Sequence, residues 1–316
     1  MLLTTLKAMA DDCRLRLLAI LARGEFTVQE LTEILAMGQS RISRHLKILT
    51  EAGLLTVTRQ GTWAYYRMNH GNPLLDGIWP VLQQEIAANA TCRQDQTALG
   101  AIFEKRRSRS RDFFDRHAQS WDQLAQQILP TPPYLAQLLG LIPPCQRLLE
   151  VGVGTGRLLA RLKEHSENVV GVDHSPAMLD EARKRLEQEG VQGVELRLGE
   201  MSHLPLADGE CDAALLNMVL HHAADPPLVL SELARILAPG GGLLLADLVR
   251  HGAEWVREEI ADQWLGFEQD ELHRWLEQSG FTLNEYRVVP GIKNEHTVFM
   301  LRAHRRVGPV NLKERS

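Results

Sequence analysis

Leu148-Leu149-Glu150-Val151-Gly152-Val153-Gly154-Thr155-Gly156 decides how the larger part of this 316-residue chain folds. A short apolar run ends in three glycines spaced two apart, as a strand does when it enters a tight loop before a helix. Val169-Val170-Gly171-Val172-Asp173 reads as a second strand with an acidic end. Ser175 then caps and Pro176 opens a helix that Gly190 closes. Val194 to Leu198, Cys211 to Asn217 and Gly242 to Leu248 read as three more strands, the last entered from the turn Pro239-Gly240-Gly241. Strands alternating with helices predict a doubly wound, mostly parallel sheet with its ligand at the strand C-termini.

The glycine spacing separates ligand classes. A dinucleotide loop has the form Gly-x-Gly-x-x-Gly; here Gly152, Gly154 and Gly156 are followed by Arg157. Such glycines let the backbone pass close beside a ligand, with no pyrophosphate to cradle. Asp173 ends its strand where an acidic residue can accept both hydroxyls of a ribose.

The chain upstream has a different pattern. Asp12 to Leu21 places Leu15, Leu17, Leu18 and Leu21 at near-helical spacing, and Gly24 ends that helix. Thr27-Val28-Gln29-Glu30 is a capping box, and Leu31, Ile34 and Leu35 give its helix a buried face. Gly38 makes the turn. Ser40 is read as the cap of a third helix, Arg41 to Ala52, ended by Gly53. Ile42, Leu46 and Leu49 fall on one side of it. Ser40, Ser43, Arg44 and Lys47 fall on the other, with Arg41 at the edge. Hydroxyls and cations on one helix face can bond phosphates and guanine edges in a major groove, although an ordinary solvated face has the same composition. A hairpin placed as a wing favours the groove: Leu54 to Thr58, a turn with Arg59, Gln60 and Gly61, then Trp63 to Arg67. The N-terminal part is therefore an α+β winged helix-turn-helix.

Length suggests two domains, and 44% hydrophobic residues suffice for ordinary cores. No apolar run reaches about 18 residues, so no membrane span is expected. No signal-peptide pattern opens the chain, so a cytoplasmic location is expected. Residues 1–111 hold 15 Lys+Arg against 10 Asp+Glu, and residues 112–316 hold 20 against 30. A basic N-terminal third suits a phosphate backbone; the acidic remainder should sit away from it. Cys13, Cys92, Cys145 and Cys211 form no Cys-x-x-Cys pair and read as small buried residues.

Residues 72–111 look helical. Leu74, Leu75, Ile78, Val81, Leu82 and Ile86 make an apolar stripe that suits either a dimer interface or packing within its own domain. Lys105-Arg106-Arg107-Ser108-Arg109-Ser110-Arg111 reads as a solvated linker face, with phosphate contact as the alternative. The expected division is 1–90 for the DNA-binding domain, 91–130 for a helical linker, 131–306 for the ligand-binding domain and 307–316 for a tail.

Gln39-Ser40-Arg41-Ile42-Ser43-Arg44-His45-Leu46-Lys47-Ile48-Leu49-Thr50-Glu51-Ala52-Gly53-Leu54 resembles the recognition helix of the ArsR/SmtB winged-helix repressors. The resemblance implies a homodimer on inverted-repeat double-stranded operator DNA, as a repressor released by its signal. Ser40, Arg41, Ser43, Arg44, Lys47 and Arg59 would contact the DNA. Metal-sensing relatives carry a Cys-Val-Cys string where this chain has Thr27 and Gln29, which are poor ligands for soft metals. The later helix, Pro73 to Ala90, holds no histidine and only Asp76 and Glu85 as carboxylates. No metal site is expected.

Glu150 with the glycines resembles motif I of class I S-adenosylmethionine-dependent methyltransferases, whose sheet is a seven-stranded Rossmann-like one. The resemblance implies that Glu150, Gly152, Gly154, Gly156, Asp173, His174, Met178, Glu200, Met201 and Asn217 hold S-adenosylhomocysteine or S-adenosylmethionine. Glu200 and Met201 would flank the adenine, and Leu216 to His222 would face the methionine part. Loop capping is the alternative for Glu200 and Asn217. His221 and His222 could act as base or ligand, or simply line the pocket.

No catalytic residue is assigned, because methyl transfer needs little beyond alignment. Asn217 is followed by Met218-Val219-Leu220, unlike the Asn/Asp-Pro-Pro-Tyr of DNA amino-methyltransferases. The Pro144-Cys145 pair precedes the first strand, the wrong side for a cytosine C5 nucleophile. Four scattered cysteines suit arsenite poorly. Fused chains of this layout, including the string Glu258-Glu259-Ile260-Ala261-Asp262-Gln263-Trp264-Leu265-Gly266-Phe267, resemble regulators that sense S-adenosylhomocysteine and govern S-adenosylmethionine recycling or methionine genes. A working small-molecule methyltransferase with a fused DNA reader is the alternative.

Overall fold

The computed structural model describes residues 2–60, 63–128, 134–253, 255–290 and 296–307. The wing-turn residue Gly61 and all of the expected tail except Val307 lie outside the described residues. The chain forms two compact units, 1–106 and 107–316.

The first unit contains α1 (Leu2–Met9), α2 (Asp12–Leu21), β1 (Phe26–Thr27), α3 (Val28–Leu35), α4 (Gln39–Glu51), β2 (Leu55–Gln60), β3 (Trp63–Met68), α5 (Pro73–Ala88) and the first part of α6 (Ala90–His117). Thr27 caps α3 as expected: its hydroxyl accepts from the Glu30 amide, and the Glu30 carboxylate accepts from the Thr27 amide. Ser40 is not the cap of α4. That helix starts earlier, with Gly38 in the extended cap position and no side-chain cap bond, so the Ser40 hydroxyl is left for other partners. β2 and β3 pair antiparallel from Leu55↔Met68 to Gln60↔Trp63, and β1 adds to β3. Leu17, Leu18, Phe26, Leu31, Ile42, Leu46 and Leu49 are fully buried.

On α5, Leu75 and Trp79 are buried, while Leu74, Ile78, Leu82 and Ile86 are half-buried and Val81 is 66% exposed. Packing within the unit therefore uses only part of the stripe. The basic run lies in the middle of α6, with Lys105, Ser108 and Arg109 exposed as a solvated face requires and Arg106, Arg107 and Arg111 half-buried. Lys105 pairs with Glu33. The Arg106 guanidinium reaches Glu30 Oε1 at 2.9 Å and the Glu25 carbonyl at 2.8 Å, and lies 4.7 Å above the Phe26 ring.

After the rest of α6, the second unit contains α7 (Trp121–Ile128), α8 (Tyr134–Leu139), β4 (Arg147–Val151), α9 (Leu159–Leu162), β5 (Asn168–Asp173), α10 (Pro176–Gln188), β6 (Val194–Leu198), β7 (Cys211–Asn217), α11 (Pro226–Ile236), β8 (Leu237–Leu248), α12 (Val256–Glu259), α13 (Gln269–Gln278), β9 (Phe281–Val289) and β10 (Val298–Arg305). The strands form one sheet in the order β6-β5-β4-β7-β8-β10-β9. Pairing is parallel from β6 to β8, and β10 runs antiparallel to both neighbours. It is a Rossmann-like, mostly parallel seven-stranded sheet. Buried Leu and Val of β4 and β7 face apolar clusters on both sides, which explains their near-continuous hydrophobic runs. The helix after the glycine loop is a single turn, α9, rather than one reaching Glu164, and β8 begins at Leu237 rather than Gly242. Among the described residues, no helix is long and apolar enough to cross a membrane.

Candidate functional site

Two surfaces carry the chemistry, one in each unit. In the first, α4 turns Ile42, His45, Leu46 and Leu49 inward and leaves Ser40, Arg41, Ser43, Arg44 and Lys47 exposed. Arg59 is exposed near the end of β2. His45 lies on the inner side, its Nδ1 3.7 Å from Asp11, and burial pulls its pKa down. It supports the helix rather than its outer face.

In the second unit the parallel strands β4, β5 and β7 end at one edge. Gly152, Gly154 and Gly156 all adopt positive φ, where an L side chain is strained. A Cβ at Gly152 would stand 2.2 Å from Val219 Cγ2, and one at Gly156 3.0 Å from the Ala182 Cβ. A Cβ at Gly154 would meet only Trp121 Nε1, at 4.0 Å. The outer glycines thus serve close packing, and the middle one faces the site.

Asp173 is buried at the end of β5. Its Oδ2 accepts the Gly154 amide at 2.8 Å and its Oδ1 the Ser175 amide at 2.9 Å. It holds the glycine loop and the start of α10 before any ligand arrives, and a carboxylate has about four acceptor positions, so acceptor capacity remains. Glu150, 3% exposed at the end of β4, has an Oε2 with no hydrogen-bond partner among the described residues. Burial, then the charge of Asp173, push its pKa up to about 8. Burial also raises that of Asp173. Two buried carboxyls beside a glycine loop suit a ligand that brings a cation and hydroxyl donors.

His174, Glu200 and Met201 line one cleft with Arg107, Ser110 and His222. Glu200 is already engaged: its Oε1 accepts from Arg111 at 3.0 Å. Asn217 Oδ1 accepts the Tyr134 hydroxyl at 2.9 Å. Met178 is buried in a cluster with Phe113 and Phe114. A roof covers the loop. The Phe114 ring meets His222, Trp121 and His174 at 4.9, 5.0 and 5.8 Å. Asp115 accepts the Ser175 hydroxyl at 2.5 Å, and Asp122 accepts that of Thr155 at 2.6 Å.

Sequence reading missed Asp247 and Asp262. His221 Nδ1 bonds Asp247 Oδ1 at 2.6 Å. The string around Asp262 folds onto the His221–His222 turn: the Gln263 and Trp264 amides donate to the His221 carbonyl, and the Trp264 indole to that of Ala223. No local spacing announces this, because its members lie at 221, 247 and 262. The two cysteines of this unit, Cys145 and Cys211, lie at the opposite edge, before β4 and at the start of β7.

Comparison with known proteins agrees with both units. Residues 11–57 match the model of the bacterial regulatory protein arsR family, and residues 149–245 match that of a methyltransferase domain. An uncharacterised methyltransferase of Mycobacterium bovis is 39% identical over 130 residues, 40% of this chain and 51% of that protein. Arsenite methyltransferase of Halobacterium salinarum is 34% identical over 110 residues, 34% of this chain and 28% of that protein. The chain thus spans about half or less of the length of these relatives. A chain from the complex of the Haloferax volcanii Trm112 methyltransferase activator with a methyltransferase superposes with a TM-score of 0.53 at 20% identity, over 61% of this chain and 97% of that one. The chain joins an arsR-family helix-turn-helix to a class I methyltransferase-like domain.

Proposed function

We propose that this chain is an operator-binding repressor whose methyltransferase-like unit senses S-adenosylhomocysteine or S-adenosylmethionine and governs genes of S-adenosylmethionine recycling or methionine metabolism. The observation that carries the ligand is the pair of buried carboxyls at the glycine loop. Glu150 Oε2, unpartnered among the described residues, takes the ammonium of the amino-acid part; the remaining acceptor positions of Asp173 take the ribose diol. His174, Glu200 and Met201, which line one cleft, take the adenine end, with Met178, packed against Phe113 and Phe114, and Asn217, at the end of β7, completing the site. Ser40, Arg41, Ser43, Arg44, Lys47 and Arg59 meet inverted-repeat DNA.

The homodimer that such an operator requires uses the apolar faces left open on α1 and α5. Leu2, Leu3 and Leu6 are exposed on the first, and Val81 on the second.

One helix links the two activities. The first part of α6 is tied to α3 through Lys105 and Arg106, and its last turns reach His222 and Ser175, beside the glycine loop, through Phe114 and Asp115. A ligand entering beneath that roof displaces α6, and α3 with it. The protein works inside the cell, where the operator and the adenosyl compounds are.

An active small-molecule methyltransferase is the second reading, supported by the similarity to enzymes. Arsenite is a poor substrate for it, since burial pushes the Cys211 thiol up to about 11 and neither Cys145 nor Cys211 lies at the site edge. Calorimetric titration with S-adenosylhomocysteine tests the pocket. One site per chain is expected, with weaker binding in Asp173→Ala; the absence of binding to the wild-type chain removes the reading.

A further inference from the structure

Four buried titratable side chains meet beside the cleft, where β7 and β8 end. Both oxygens of Asp247 are engaged: Oδ1 accepts from His221 Nδ1 and, at 2.7 Å, from the Leu248 amide, while Oδ2 accepts the His221 amide at 3.2 Å. It fixes the ring of His221 so that Nε2 faces Asp262 Oδ1, 3.5 Å away. His222 Nδ1 stands 3.5 Å from the same oxygen. Neither carboxylate oxygen of Asp262 has a hydrogen-bond partner among the described residues, although the residue is only 4% exposed. The three ligating groups lie within 4.8 Å of one another. A buried carboxylate without hydrogen bonds is costly, and a cation between these atoms removes the cost.

We propose that His221 Nε2, His222 Nδ1 and Asp262 form a site for a first-row divalent metal ion, with Asp247 as the residue that positions His221. Two imidazoles and one carboxylate select zinc, iron(II) or cobalt(II) over calcium or magnesium. Separations of 3.5 Å need little tightening to match the edges of a shell with bonds of about 2.0–2.2 Å. A carboxylate on the far nitrogen of a ligating histidine fixes its tautomer and orientation, as Asp247 does here. The ion would pin the 258–267 string to the His221–His222 turn at the wall of the cleft. A second cluster of ligating groups among the described residues, Asp11, Cys13 and His45, differs. There Asp11 Oδ1 already caps α2 by accepting the Arg14 amide, and Cys13 donates to Met37 Sδ.

The test is a titration of the chelator-stripped full-length chain with cobalt(II) and zinc(II). One ion per chain is expected, with visible d–d absorption for cobalt and a raised Tm at saturation, since binding to the native state stabilises it by mass action. Asp262→Asn and His221→Gln should each lower affinity by more than the roughly 10–100-fold expected for Asp247→Asn, and Cys13→Ser should change nothing. Should a variant fail to fold, X-ray absorption of the zinc-loaded wild-type chain replaces it, with two imidazoles, oxygen and no sulfur expected around the metal. No stoichiometric binding, a shell with sulfur or without imidazole, or a folded Asp262→Asn with unchanged affinity overturns the proposal. The cluster is then a protonated imidazole held between two carboxylates.

Discussion

Asp173 does two jobs with one carboxylate. It ties Gly154 and Ser175 to the end of β5, and it offers its free acceptor positions to a ligand. Asp173→Ala should therefore lower stability by about 1–3 kcal/mol, the cost of leaving buried donors unpaired, as well as weaken S-adenosylhomocysteine binding. A denaturant melt and a calorimetric titration read the two effects; a variant that loses neither would move the ligand elsewhere. Glu150 gives a pH signature. Its folded pKa, about 8, lies above the ordinary carboxyl value because burial disfavours the charge. The folded state thus keeps a proton that the unfolded chain releases from about pH 4.5 upward. Its contribution to stability falls as pH rises through that window and levels off above about 8. Glu150→Gln should flatten that slope. A ligand ammonium reverses the preference, so binding near neutral pH should release a proton. Calorimetry in buffers of different ionisation enthalpy should detect it in the wild-type chain and not in Glu150→Gln.

At the scale of elements, α3, α4, the β2–β3 hairpin and the glycine loop are legible in the sequence because each rule is local. A capping box, one apolar face and a β-hairpin need only neighbours in sequence, and positive φ at three alternate positions needs glycine. Ser40 misleads because a serine before a helix resembles a cap, whereas Gly38 already occupies that position. Ser40→Ala should accordingly leave Tm unchanged while weakening the cognate operator. Together with Arg44→Ala, each should cost about 1–3 kcal/mol if it touches a base, and equal loss on random DNA would assign the residue to phosphates. Gly152→Ala should be strongly destabilising, because its Cβ would collide with Val219; a normal melt would contradict the loop geometry. The cluster of Asp247, His221, His222 and Asp262 is illegible, since the ends of β7 and β8 and the segment after α12 bring it together across 42 positions of sequence. The partners of α6 are illegible for the same reason: a basic run declares its charge but not Glu30, Glu33 or Glu200, the carboxylates that meet it.

At the scale of the whole molecule, the sensor reading stands on coupling. A ligand shifts an equilibrium only by its differential affinity for the two states, so S-adenosylhomocysteine must bind the DNA-free protein more tightly than the DNA-bound one. The ties of Arg106 to Glu30 of α3 are the proposed means. Arg106→Gln should leave adenosyl affinity intact and bring the coupling toward unity. The direct measurement is fluorescence anisotropy of the labelled operator titrated with the full chain, with and without saturating S-adenosylhomocysteine or S-adenosylmethionine. The expected result is a loss of operator affinity of about 10–150-fold with one of the two, the range typical of allosteric coupling. Operator affinity unchanged by either compound would contradict the sensor.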